Sequence, residues 1–374
     1  MSRSIALVSG SFPPRVCGIA DYTSLLAGSL RGLGADVVVW TGDREAEAQV
    51  GRVAPVVGGW DASGLRGLVH ALSRGKPGVV HLQFERSIYN QQPAVSLLLP
   101  LLLRRAGLPL VTTFHALDGT TRWGRAHRAA LLPLLLLSQG VVVCSHRQLK
   151  AVHRLPGVGR RTTLIPIGSS IPVTHTRAVR GGKEALRFVY FGFVWRGRNI
   201  EVCLRALAAV RGVPGVEEAT LNIIGGIRDA EYQAELESLA TDLGIREHLR
   251  FRGDLPADVI SRELATADGV LLPFASGAST GRTTLIAALA HGAPVVTMGN
   301  TDNLSPLFVD GENLSIAPAG DDDAFIERTL ALARDASLRA RLSEGGARLA
   351  EQFSWSRIAE QTLALPAYRA AGVA

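Results

Sequence analysis

Short apolar runs recur along the whole chain, each followed by a longer helical segment. Ile5–Ser9, Asp36–Thr41, Val79–Gln83, Leu110–His115, Val141–Ser145 and Thr163–Pro166 read as strands in the first half. Leu186–Gly192, Thr220–Gly225, Leu249–Arg252, Gly269–Pro273, Pro294–Thr297 and Leu314–Ala317 repeat the pattern in the second. Runs this short and this apolar fit strands covered on both faces. Strands that alternate with helices give a mostly parallel sheet between two helical layers. With 374 residues, the chain outgrows one ordinary core. The predicted class is therefore α/β, with two doubly wound domains facing a central cleft. Ligands in such sheets bind beyond the carboxyl ends of the strands.

The stretch Pro172 to Glu184 is polar and basic, carries Gly181-Gly182, and marks a linker. The expected division is 1–175, a linker at 176–185, a second domain at 186–354, and a closing helix at 355–374 that crosses back to the first domain. Helices are expected at Ala94–Arg105 and, as one piece, at Trp355–Ala371.

Composition narrows the function classes. The chain is 47% hydrophobic and 20% charged, which suits a globular protein. Cys17, Cys144 and Cys203 are too widely spaced for a zinc or disulfide framework and fit a reducing cytoplasm. The first strand begins almost at the N-terminus, so no signal peptide is expected. No segment has the length of a membrane span. The net charge of +7 is uneven: through Val173 there are 19 Lys/Arg against 8 Asp/Glu, or +11, which leaves 21 against 25, or −4. A basic first half fits an anionic membrane surface or a phosphorylated substrate, or simply a solvated face. Nucleic acid fits less well, because no aromatic-interleaved basic stripe is present.

The most telling stretch is PFASGASTGRTTLIAALAHGAPVV, Pro273 to Val296. It reads as the end of a buried strand, a small-residue loop, a helix stopped by Gly292, and a second strand. Ser279, Thr280, Gly281, Thr283 and Thr284 crowd the loop, with Arg282 among them. Free N–H groups at such a helix start can hold a phosphate.

Several stretches, in order, resemble the retaining, nucleotide-sugar-dependent glycosyltransferases of the GT-B fold, family four, with its two Rossmann-like domains. GSFPPRVCGIADYT (Gly10 to Thr23) is similar to the family's opening strand, glycine loop and first helix. VTTFHALD (Val111 to Asp118) resembles its strand ending in histidine, and TLIPIGSSIP (Thr163 to Pro172) the lead into the second domain. FVYFGFVWRGRNIEVCLRAL (Phe188 to Leu207) resembles that domain's first strand, basic loop and helix. Pro273–Val296 resembles the donor loop and helix, and VDGENL and FSW (Phe353 to Trp355) also match. Two family glutamates eight residues apart are replaced here, by Ser279 and Ala287. The family's Arg and Lys after the first strand of the second domain become Phe193 and Arg198, with Arg196 placed to stand in. Cys17 takes the place of one glycine of a pair, beside Gly18. The chain thus looks like a divergent branch.

Sugar transfer from a nucleotide donor leaves a diphosphate that gains charge as the anomeric bond breaks, and fixed cations stabilise it. The candidates are Arg196, Arg198 and Arg282, with N–H groups near Thr283-Thr284; arginine grips phosphate in a bidentate way. Gly18, Gly225 and Gly226 are expected to let backbone approach the donor. The resemblance implies that His115 touches the donor sugar or lies near the reacting centre, and Arg198 joins it as a catalytic candidate. Gln83, Glu85, Tyr89 and Asp118 are acceptor-side candidates on the same rim. No metal is expected: Asp321-Asp322-Asp323 opens a helix and reads as a cap. The expected donor is a UDP- or GDP-sugar, with no cofactor. The acceptor stays open among a sugar, a lipid-linked sugar and a small metabolite. A peripheral place on the inner membrane face is consistent with the basic first half. The alternatives are a nucleotide-binding scaffold without transfer activity, which the two missing glutamates support, and a GT-B enzyme with an unusual donor. A pyridoxal-phosphate phosphorylase needs a lysine in the second domain, where only Lys183 lies beyond residue 150 and outside the strand series.

Overall fold

The computed structural model describes residues 4–43, 53–54, 58–117, 124–177, 185–300 and 304–373. They fall into two compact units: Met1–Ser170 together with Ser354–Ala374, and Ile171–Phe353.

The first unit runs β1 (Ile5–Ser9), α1 (Gly18–Gly32), β2 (Val37–Thr41), β3 (Val53–Ala54), α2 (Ala62–Gly75), β4 (Val79–Phe84), α3 (Ala94–Leu97), α4 (Leu99–Arg105), β5 (Leu110–Phe114), α5 (Gly124–Leu137), β6 (Gly140–Val143), α6 (His146–His153) and β7 (Thr162–Leu164). Its strands form one parallel sheet in the order β3-β2-β1-β4-β5-β6-β7. Every residue of β1, β4 and β5 is buried, as a sheet covered on both faces requires. β2, nearer the edge, alternates buried and half-buried positions. The order reverses between β1 and β4, which is the switch point where such sheets open a crevice. β3 adds a strand that the apolar pattern did not announce, since it is two residues long.

The second unit runs β8 (Arg187–Phe191), α7 (Ile200–Arg211), β9 (Thr220–Ile224), α8 (Ala230–Asp242), β10 (Leu249–Gly253), α9 (Ala257–Ala265), β11 (Gly269–Leu272), α10 (Thr283–Ala290), β12 (Val295–Gly299), β13 (Ser315–Pro318), α11 (Asp322–Arg334) and α12 (Ala336–Ala350). Its parallel sheet has the order β10-β9-β8-β11-β12-β13, so its switch point lies between β8 and β11. Asp321 caps α11 by accepting from Ala324 N at 2.9 Å.

The chain then returns to the first unit as α13 (Trp355–Leu363) and α14 (Pro366–Ala370). Ile358, Leu365 and Tyr368 are buried in one cluster with Ile5, Leu7, Leu26 and Val79. Trp355 donates its indole N–H to Ser169 O at 2.7 Å. A Cβ at Gly168 would stand 2.6 Å from the same indole, so only glycine lets the ring in.

Three expectations need correction. The helix expected at Ala94–Arg105 is two helices, because Pro100 has no N–H to continue the ladder. The closing helix is likewise split, with Pro366 starting the second piece. Pro172–Arg177, read as part of a linker, is fastened to the second unit. There Thr174 N and His175 N donate to Ser261 Oγ at 3.0 and 3.1 Å, and Arg177 donates to Ala267 O at 2.8 Å. Residues 178–184 lie outside the described residues.

Candidate functional site

Each unit gathers polar side chains at its switch point. In the second unit the loop after β8 turns sharply: Arg198 N donates to Trp195 O at 3.2 Å and Gly197 has φ +99°. The turn sets the Arg198 guanidinium 5.3 Å from the centre of the Trp195 ring. The loop after β11 folds back on itself, with Gly277 N donating to Phe274 O at 2.8 Å and Gly277 at φ +84°. Arg282 lies over the Phe274 ring at 4.7 Å and donates to Ser276 Oγ. Together Trp195, Gly197, Arg198, Phe274, Ala275, Ser276 and Arg282 line a cavity of about 300 Å³.

The two arginines converge there although 84 residues separate them, because β8 and β11 are neighbours in the sheet. Tyr190, near the end of β8, feels both cations. Burial pushes its hydroxyl pKa up, and the charges of Arg198 and Arg282 draw it part of the way back. Arg198 Nε is buried without a hydrogen-bond partner among the described residues, an unspent donor at the cavity. α10 starts at this loop, and its first turn has no side-chain cap.

Other expected donor residues are placed differently. Arg196 points away from the cavity and makes a bidentate pair with Glu235, at 2.6 and 2.8 Å, with Asp229 4.0 Å away. Its charge is therefore already matched, and Glu235 holds its pKa above the ordinary range. Ser279, Thr280, Gly281, Thr283 and Thr284 form the helix side of the loop and do not line the cavity. Gly225 and Gly226 have structural reasons to be glycine. At φ +135°, a Cβ on Gly225 would lie 2.3 Å from Gly192 O, and one on Gly226 would lie 2.7 Å from Asp254 Oδ2. They bring the loops after β8 and β9 together, with Val194 N donating to Gly226 O at 3.0 Å.

In the first unit His115 follows β5 directly. Its Nε2 lies 3.0 Å from Gln83 Oε1 on β4. Its carbonyl accepts from Gln148 Nε2 at 3.1 Å, and Tyr22 from α1 meets its ring edge to face at 4.7 Å. Burial lowers the His115 pKa to about 3, so the ring is neutral at physiological pH. Gly18 opens α1 on the exposed surface, with no atom within 4 Å of a hypothetical Cβ, so the approach it was expected to allow is open.

The acceptor-side candidates separate. Gln83 is buried against His115. The carboxylate of Glu85 is turned to its own chain and accepts from Ser87 N at 2.9 Å. Tyr89 is 0% exposed, with its hydroxyl bonded to Gln83 O at 2.8 Å, and offers no surface to an acceptor. Asp118 lies outside the described residues. Sequence reasoning missed Trp195 and Phe274; Trp195 stands beside Arg196, a signal that was available, whereas Phe274 is eight residues before Arg282 and meets it only because the loop folds back. Gln148 gave none, because it meets His115 only through the β5–β6 pairing.

No group of three or more His, Cys, Asp or Glu suited to a metal ion occurs among the described residues, and no helix there is long and apolar enough to cross a membrane.

Two parallel, doubly wound units, each with its polar groups at the switch point, define the two-domain glycosyltransferase architecture. HepE of Anabaena, solved in complex with UDP and glucose, shares the fold with a TM-score of 0.74, at 15% identity over 96% of this chain and 98% of that one. The family model of glycosyl transferases group 1 matches residues 185–335, and that of Glycosyltransferase Family 4 matches residues 16–169. The chain belongs to these glycosyltransferases. Among curated relatives, the phosphatidyl-myo-inositol mannosyltransferase of Mycobacterium leprae is 28% identical over 70% of this chain and 67% of its own length. The lipopolysaccharide core biosynthesis glycosyltransferase LpsE of Rhizobium meliloti is 32% identical over 42% of this chain and 44% of its own.

Proposed function

We propose that the chain transfers a hexosyl group, with retention, from a nucleoside-diphosphate sugar to a lipid-linked acceptor. The donor's nucleotide occupies the cavity of the second unit. The observation that carries this is the meeting of Arg198 and Arg282 at the β8/β11 switch point, beside the uncapped start of α10. As the anomeric carbon–oxygen bond breaks, the diphosphate leaves with the electron pair, and the two guanidiniums and the helix start stabilise its new charge. The acceptor hydroxyl oxygen forms the new bond to the anomeric carbon, and its proton passes to the departing diphosphate oxygen. No metal ion takes part in this scheme, because the arginines supply the positive charge. A uridine nucleotide is favoured by the fold neighbour solved with UDP. The retaining outcome rests on the family resemblance.

The acceptor is placed on the first unit, where His115 is the sugar-facing residue. A lipid-linked acceptor is supported by the two curated relatives, named for phosphatidyl-myo-inositol and lipopolysaccharide chemistry. A surface feature agrees. Leu97, Leu101, Leu132 and Leu136 are 42%, 51%, 38% and 50% exposed, and they sit on α3, α4 and α5, which pack together. Exposed Arg104 and Arg105 end α4, and Arg161, beside exposed Arg160, donates to Ser138 O and Leu136 O at the end of α5. Leucines with a basic rim suit an anionic bilayer.

The experiment is nucleoside diphosphate release from UDP- and GDP-hexoses, with and without a lipid extract, followed by NMR of the product's anomeric configuration. Lipid-dependent release from one donor with an unchanged anomeric configuration is expected. Binding of the nucleotide without any release identifies the chain as a nucleotide-binding scaffold instead.

A further inference from the structure

Gln83 occupies an expensive position. It is 0% exposed on β4, yet its amide nitrogen has no hydrogen-bond partner among the described residues. A buried, unpaired donor is costly, and a leucine of similar volume would avoid that cost. What the side chain does make is the 3.0 Å contact from Oε1 to His115 Nε2. With the amide oxygen turned to the ring, the ring donates from Nε2, and a neutral ring then carries a lone pair on Nδ1. Nδ1 itself has no hydrogen-bond partner among the described residues.

The strand register makes this arrangement local. Val79, His81 and Gln83 on β4 alternate with residues of the opposite face, and Val111, Thr113 and His115 do the same from β5. His81 Nε2 bonds Thr113 Oγ1 at 2.7 Å, and Gln83 bonds His115 one step further along. Two successive polar rungs thus cross the β4–β5 pair, and the second ends at the rim.

We infer that Gln83 is a positioning residue: it locks His115 in the Nε2–H tautomer, so that Nδ1 accepts from a hydroxyl of the bound sugar. This rests on the proposed reading of His115 as the sugar-facing residue. The titratable groups around the ring are Tyr22 from α1, His81 on β4 and Cys144 beyond β6, while Gln148 on α6 holds its carbonyl. Burial keeps Tyr22, His81 and Cys144 uncharged at neutral pH. Glu85, two residues after Gln83, is engaged with Ser87.

The tautomer is read directly, without any substrate, from long-range proton–nitrogen NMR of histidine-labelled protein, with His115→Gln to assign the signal. Wild type is expected to show a protonated Nε2 and a bare Nδ1, and Gln83→Leu a mixed tautomer. Transfer by Gln83→Leu should fall about tenfold, with nucleotide affinity retained. Gln83→Glu keeps the acceptor but adds charge, which favours the imidazolium. Its activity should therefore fall at acid pH where wild type stays flat, a limb that a merely structural residue would not create. Slow donor hydrolysis without acceptor separates the two sources of the hydroxyl: it falls with transfer if the hydroxyl is the donor sugar's, and holds if it is the acceptor's. A protonated Nδ1 in wild type, or a Gln83→Glu profile identical to wild type, overturns the inference. If wild type transfers nothing from any donor, the functional reading fails, and the NMR result still decides the tautomer.

Discussion

His81 and Tyr368 are 287 residues apart in sequence, and 2.6 Å separates the imidazole Nδ1 from the phenolic oxygen. The contact joins β4 at the centre of the first sheet to the last helix. It explains how the chain's end belongs to the unit where the chain began. Both side chains are buried, so losing one leaves the other unsatisfied. Tyr368→Phe should cost about 1–3 kcal/mol. The measurement is a urea melt followed by a probe in the first unit, and an unchanged midpoint would show that the bond is not structural.

The same network sets a pH dependence. Burial, with a smaller contribution from neighbouring His115, lowers the His81 pKa from 6.5 to about 3, so the folded unit holds this ring neutral. The unfolded chain takes up the proton as pH falls below about 6.5, and the folded chain does not until about 3. Stability from this group is therefore fully present above 6.5 and is lost progressively between 6.5 and 3, at up to about 1.4 kcal/mol per pH unit. Melts from pH 7 to 5 should show this decline, and His81→Asn should make it shallower.

Gly225 should tolerate no side chain. At φ +135° and with Gly192 O 2.3 Å from a Cβ, Gly225→Ala forces the loops after β8 and β9 apart. A loss of about 2–4 kcal/mol is expected. Because the β8 loop carries Arg198, nucleotide affinity should fall as well. Melting and binding data on the one variant check both effects.

The exposed leucines should govern membrane contact alone. Leu101→Gln with Leu136→Gln is expected to abolish most sedimentation with anionic vesicles while leaving the melting midpoint in place, since both side chains are at least half exposed. Equal sedimentation of variant and wild type would remove this face as the docking surface.

Much of this was legible in the residues. Apolar runs such as Val270–Leu272 announced strands covered on both faces, and His115 at the end of a strand had to sit at a rim. The meeting of Arg198 with Arg282 was not legible as a contact, because it depends on β11 pairing with β8 across the switch point. Arg196 looked equivalent to Arg198 in the sequence. Its partner Glu235 is 39 residues away on α8, a distance at which no spacing rule operates. Tyr89 looked like a rim residue because it follows a strand by five positions. A single 3-10 turn over Arg86–Tyr89 folds its ring back into the core, and one turn is too short to leave a periodic signature. Pro100 and Pro366 were visible breaks in helices read as continuous.

The central claim is that the cavity between Trp195 and Phe274 holds the donor's diphosphate through Arg198 and Arg282. Calorimetric titration of UDP into wild type and three arginine variants tests it most directly. Wild type should bind, and Arg198→Ala and Arg282→Ala should each weaken binding about tenfold or more, as expected for charge-assisted bonds. Arg196→Ala, whose guanidinium is matched by Glu235, should bind like wild type. Undiminished affinity in Arg198→Ala, or a loss confined to Arg196→Ala, would contradict the assignment.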